Sequence, residues 1–209
     1  MTVTLHKGDL PAGLDFGTSI AVDTETQGLS LVRDKLCLVQ LSSGDGNAHI
    51  VQVDRNSFDC PNLKALLGNQ DIEKIFHFAR FDVAILKRDL DVDLTPVFCT
   101  KIASGLVRTY TDRHGLKDLC KELLNIDLSK QQQSSDWASD HLTDAQLDYA
   151  ASDVLYLHQI KNILTARLMR ENRFELAQSC FEFLPSRAEL DILGWDGVDI
   201  FSHRMRRAE

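Results

Sequence analysis

Residues 19–25 read Ser19-Ile20-Ala21-Val22-Asp23-Thr24-Glu25. A short apolar run of this kind reads as a buried strand, and it leads straight into two carboxylates that flank one threonine. Alternate residues on a strand point to the same side, so Asp23 and Glu25 face one spot. Two acids this close repel and shift each other's pKa unless a proton or a cation intervenes. A strand ending in Asp-x-Glu also arises at a solvated edge, so the pair alone leaves both readings open.

Outward from this strand, residues 35–42 alternate into a second one with Leu36, Leu38 and Gln40 on one face. The turn Ser43-Gly44-Asp45-Gly46-Asn47 leads to a third strand through His49, Val51 and Val53, which together make a hairpin with a slightly long loop. Residues 62–67 predict a short helix, with Pro61 at its start and Gly68 beyond its end. Residues 74–78 return as a strand, 81–90 as an amphipathic helix and 97–100 as another short strand. Helical spacing then runs through Leu116, Leu119, Leu123 and Leu124. Thr143 and Gln146 form a capping box for a long helix expected to reach about residue 170. Residues 174–201 are apolar but poorly periodic. The segment from about 171 to 209 therefore reads as an extension that either completes the core or forms a subunit interface. Strands first, then mixed elements, then helices imply an α/β fold: one domain over 1–209, a mixed β-sheet flanked by α-helices.

Composition restricts the function. Hydrophobic residues make up 44% and charged residues 26%, as in ordinary soluble globular chains. No apolar run approaches the roughly 20 residues of a membrane helix, and residues 1–11 lack the apolar stretch of an export signal. A cytoplasmic protein with no membrane partner is expected. Cys37, Cys60, Cys99, Cys120 and Cys180 have no zinc-ligand spacing and read as free thiols. The net charge is 23 − 31 = −8, which disfavours a long footprint on a polyanion, because phosphate neutralisation supplies much of such affinity. Divalent cations can reverse the charge locally. A short grip on one strand end is then the form of nucleic-acid binding that remains.

Two further acids carry the chemistry. Asp82 follows His77-Phe78-Ala79-Arg80-Phe81, where a strand passes into a helix; a plain helix-dipole acid is the bland alternative. Tyr149 and Asp153 are four residues apart and so share one face of the capped helix. That face also carries the apolar Tyr156 and Leu157, and an inward-facing aspartate needs a partner, such as a metal. Taken in order, Asp23-Thr24-Glu25, then His77 to Asp82, then Tyr149 to Asp153 resemble the three exonuclease motifs of the DEDD superfamily. The tyrosine four residues before the last aspartate matches the DEDDy branch. Lys130-Gln131-Gln132-Gln133-Ser134-Ser135-Asp136-Trp137 and residues 146–157 resemble the ribonuclease D group. In length and wording the chain is similar to the compact bacterial nano-RNase C type. Phe78 departs from the pattern, which usually has Asn after the motif histidine.

The resemblance implies a ribonuclease H-like fold and a 3′→5′ exoribonuclease that releases nucleoside 5′-monophosphates. It implies two divalent ions, Mg²⁺ or Mn²⁺, held by Asp23, Glu25, Asp82 and Asp153, with Tyr149 orienting the attacking water. It also implies short single-stranded RNA, gripped at its 3′ end down to dinucleotides, and a homo-oligomer, of which an octameric ring is one form. DNA exonuclease activity and 3′-end trimming of stable RNA are the alternatives. Thr24, Leu29, His77, Lys130, Gln133 and Trp137 are the candidate substrate contacts. Leu29 matches a position at which the family wedges an apolar side chain between terminal bases. Trp137 is open to two readings, a base platform or a core residue.

Overall fold

The computed structural model describes residues 2–129, 132 and 135–203. Strands β1 (Val3–Lys7), β2 (Ser19–Thr26), β3 (Leu36–Ser42), β4 (Ala48–Gln52), β5 (Glu73–Phe76) and β6 (Val97–Cys99) form one mixed sheet. Their order is β1-β4-β3-β2-β5-β6. The β2–β3–β4 meander is antiparallel, whereas β1, β5 and β6 pair in parallel with β4, β2 and β5 respectively. Both glycines of the β3–β4 turn adopt positive φ, Gly44 at 82° and Gly46 at 85°, a conformation that other residues adopt only with strain.

Helices cover the sheet: α1 (Pro61–Gly68), α2 (Ala79–Leu90), α3 (Thr100–Val107), α4 (Leu116–Leu119), α5 (Asp144–Leu155), α6 (Leu157–Arg170) and α7 (Phe174–Leu190). Ile20, Val22, Val39, Leu41 and Ile75 are fully buried from the sheet, as are Ala84 and Ile85 from α2. Each large aliphatic side chain so buried stabilises the fold by about 1.5–3 kcal/mol before entropy is counted. A second cluster, with Leu38, Ile50, Trp137 and Ala150, lies where α5 crosses the sheet.

Three expectations change. The long helix from residue 144 is interrupted at Tyr156 (φ −106°, ψ −4°), so Asp153 belongs to the last turn of α5 and Leu157 opens α6. Leu36 and Leu38 do not share a face. A register shift between Glu25 and Thr26 pairs Leu38 with Glu25 and Leu36 with Thr26, which puts the two leucines on opposite sides. Residues 174–190, read as poorly periodic, form α7, which buries Ala177, Phe181, Leu184 and Ala188. Helix α7 packs on α2 and β6, and Phe181 lies 4.7 Å from Phe98 between ring centroids. Its inner face therefore completes the core.

Candidate active site

Strand β2 pairs with β5 only as far as Ala21, so one edge of residues 22–26 is free of strand partners. Helix α2 starts beside that edge, and Thr24 Oγ1 donates to Asp82 Oδ1 at 2.6 Å. Helix α5 reaches the other side of the site. Its start is fixed by the capping box: Thr143 Oγ1 accepts from Gln146 N (3.3 Å) and Thr143 N donates to Gln146 Oε1 (3.0 Å). Strand β2 and helix α5 together bring one oxygen each of Asp23, Glu25 and Asp153 within 4.8 Å of one another. Asp82 stands outside that triangle but close enough for its charge to be felt by Asp23 and Glu25.

The electrostatics are those of crowded acids. Asp23 is held well above the ordinary carboxylate range by burial first, then by Asp82, Asp153 and Glu25. Burial, Asp153 and Asp82 raise Glu25 to about 9. Burial raises Asp82 to about 7 against the opposing pull of its Thr24 hydrogen bond, and it raises Asp153 to about 7 as well. No basic side chain is among the principal influences on any of them. Tyr149 is pushed upward by burial and then by Asp153, Glu25 and Asp23, so its phenol keeps its proton. A crowded set of hard oxygen donors, three of them half-buried and Asp82 buried, without a basic partner suits a hard divalent cation. The residues present fit such an ion.

The expected substrate contacts fall into different settings. His77 is half-buried, with Nδ1 2.9 Å from Thr100 Oγ1. The Thr100 hydroxyl donates to Phe76 O (3.1 Å), so the imidazole must be the donor at Nδ1, which leaves Nε2 as an acceptor. Burial and Lys101 push His77 down to about 3, so the ring is neutral. Leu29 is 84% exposed at the tip of the β2–β3 loop. The loop beneath it is braced: Asp34 accepts from Ser30 N at 3.0 Å, and Arg88 donates to Asp34 O at 2.7 Å and to Leu31 O.

Two of the candidate contacts have their side chains turned inward, and for Trp137 the core reading is the one the structure favours. Thr24 is buried with its hydroxyl committed to Asp82, so its side chain positions an acid. Trp137 is 3% exposed and lies against Tyr149, ring centroids 6.0 Å apart, so it offers no open face to a base. Lys130 and Gln133 lie outside the described residues. Sequence reasoning gave no site role to Gln40, which stands opposite Asp23 across the β2–β3 ladder. Its signal in the sequence is a long polar side chain in the middle of an apolar run, Leu36 to Leu41.

The family pattern described as 3′–5′ exonuclease matches residues 10–169. The chain belongs to this family. Among solved structures, this chain is similar to Brucella melitensis NrnC with bound Mg²⁺: identity is 53%, the match covers 98% of this chain and 100% of the other, and the TM-score is 0.93. B. melitensis NrnC bound to pGG is 54% identical over the same shares, with a TM-score of 0.94. The chain is also 32% identical over 156 residues to ribonuclease D of Acidiphilium cryptum, covering 75% of this chain and 39% of the relative. It spans about two-fifths of the length of such curated relatives. The fold is therefore the ribonuclease H-like α/β arrangement of 3′–5′ exonucleases, and the acid cluster belongs to a family that uses divalent metal. Among the described residues no helix is long and apolar enough to cross a membrane.

Proposed function

We propose that the protein is a metal-dependent 3′→5′ exoribonuclease that releases nucleoside 5′-monophosphates from short single-stranded RNA, down to dinucleotides. The observation that carries this reading is the convergence of Asp23, Glu25 and Asp153, with Asp82 tied to the same strand through Thr24. Mg²⁺ or Mn²⁺ suits carboxylate oxygens. Asp23, Glu25 and Asp153 would hold one ion, and Asp23 and Asp82 a second. When bound, two such ions supply hydroxide near neutral pH and neutralise charge on the scissile phosphate and its leaving oxygen.

The chain's own residues do the rest. Thr24 keeps Asp82 turned toward β2. Tyr149 retains its proton and orients the attacking water by hydrogen bonding, with Trp137 packed against it to hold the ring. His77, neutral and with Nε2 free to accept, is suited to a ribose hydroxyl and would repel a phosphate oxygen. Leu29, presented by a braced loop, separates the terminal bases. The acidic balance of the whole chain agrees with a grip on a short end, as does the pGG held by the B. melitensis relative.

The exonuclease assembles as a homo-oligomer in the cytoplasm, in the manner of a ring that narrows access to its sites. Leu193 (60% exposed), Trp195 (45%) and Phe201 (77%), just beyond α7, supply apolar surface for that contact. Light scattering at working concentration is expected to give a multiple of the chain mass of 23.5 kDa; a monomeric mass would contradict the assembly.

The experiment is a time course on 5′-end-labelled RNAs of about two to twenty nucleotides and matched DNAs, with and without chelator. The expected result is stepwise shortening from the 3′ end, fastest on the shortest RNAs and abolished by chelator. Internal cleavage, or turnover that survives chelation, would overturn the reading.

A further inference from the structure

Gln40 stands directly opposite Asp23 in the antiparallel register of β2 and β3. Residues opposed in this way project from the same face of a sheet. The Gln40 side chain is thus on the side that carries the acids. It is fully buried, and neither Oε1 nor Nε2 has a hydrogen-bond partner among the described residues. A buried carboxamide without partners is costly and calls for an explanation.

The neighbours on that face offer little relief. Ile50 is its partner on β4, and Leu38 precedes it by two residues on β3. Both pack with Ala150 of α5. Ser42, two residues further on, gives its hydroxyl to Asn47 O at 2.7 Å. Trp137 of the same cluster has a buried indole N–H without a partner among the described residues, but an indole only donates and cannot serve the Gln40 amide N–H groups. The acceptor that stands opposite Gln40 is Asp23. An apolar side chain of the same size would serve better if the position only filled the core.

We propose that Gln40 is a positioning residue for Asp23: its Nε2 donates to the Asp23 carboxylate once that group engages a divalent cation, fixing which oxygens face the ion. The inference rests on the metal-binding reading of the acid cluster. Gln40 contacts neither ion nor substrate and acts only through Asp23. Donors in this role orient metal ligands, and losing one lowers metal affinity by about 10–100-fold.

The test is Mn²⁺ binding to the full chain, followed by the paramagnetic resonance of free Mn²⁺ and by melting curves in EDTA. The proteins are the parent, Gln40→Leu, Gln40→Met and Asp153→Asn. Both Gln40 variants are expected to melt in EDTA at or above the parent while their Mn²⁺ dissociation constants weaken roughly tenfold or more. Gln40 variants that bind Mn²⁺ within a factor of two of the parent overturn the role and leave the acid-cluster reading standing. Both variants melting well below the parent in EDTA makes Gln40 structural and overturns it too. A parent without Mn²⁺ uptake, or Asp153→Asn binding as tightly as the parent, overturns both readings together.

Discussion

Burial and three neighbouring carboxylates all press Asp23 toward its protonated form, while Asp82 and Asp153 sit near 7 and Glu25 near 9. In an unfolded chain these acids titrate at about 4. Between those limits the folded protein holds more protons than the unfolded one, so the stability of the metal-free form falls as pH rises through that window. A divalent cation bound by the folded, deprotonated cluster would reverse the loss. The melting temperature in EDTA is therefore expected to drop between about pH 5 and 8, and added Mn²⁺ to raise it most at the upper end. A metal-free melting temperature that climbs over this range would contradict the crowded-acid account. Asp153→Asn removes one of these charges. It should keep the fold, melt in EDTA at or above the parent, and lose at least the roughly 100-fold in turnover that even indirect damage to a metal site causes. Steady-state kinetics beside a melting curve reads both. Full activity in this variant would refute its role as a ligand. The motif residues were legible in the sequence by type and order alone. What could not be read there was the proton on His77, which follows from a hydroxyl on α3 already committed to Phe76 O.

The loop between β2 and β3 is where element geometry meets substrate. A Cβ placed on Gly28 would lie 2.3 Å from Asp34 Oδ2, and Asp34 is the group that holds Ser30 N beneath the exposed Leu29. Gly28→Ala should displace that brace and raise KM on short RNA severalfold, with the melting temperature little changed; an unaltered KM would remove Leu29's loop from substrate binding. At the start of α5, Thr143→Ala should cost about 1 kcal/mol in urea unfolding through loss of the capping box. This box was legible because capping is local chemistry. The break at Tyr156 was not, since Leu157, Ile160, Leu164 and Leu168 continue a helical spacing and only their change of partner reveals a second helix. Strand β1 escaped notice because its residues at the sheet edge are half-buried or exposed and carry no clear alternation. In α7 the buried set Ala177, Phe181, Leu184 and Ala188 does have helical spacing. The exposed Leu176 and the internal Pro185 obscured it.

Across the whole molecule, one strand and two helices far apart in sequence deliver the acids to a single place. Strand β2 runs past the end of its pairing with β5, α2 enters at the free edge, and α5 lies over the other side. No periodicity in the sequence predicts that meeting; only the resemblance of the motifs, in their order, did so. The fold class was legible from the succession of strands and helices, whereas the site needed the three-dimensional crossing of elements. The net charge of −8 gains a physical sense here, since the cluster is built to be completed by cations. Anomalous diffraction from crystals soaked in Mn²⁺ tests that claim most directly. Two peaks a few ångströms apart, ligated by Asp23, Glu25, Asp82 and Asp153, are the predicted result. Mn²⁺ bound elsewhere, with the four carboxylates left unligated, would contradict it.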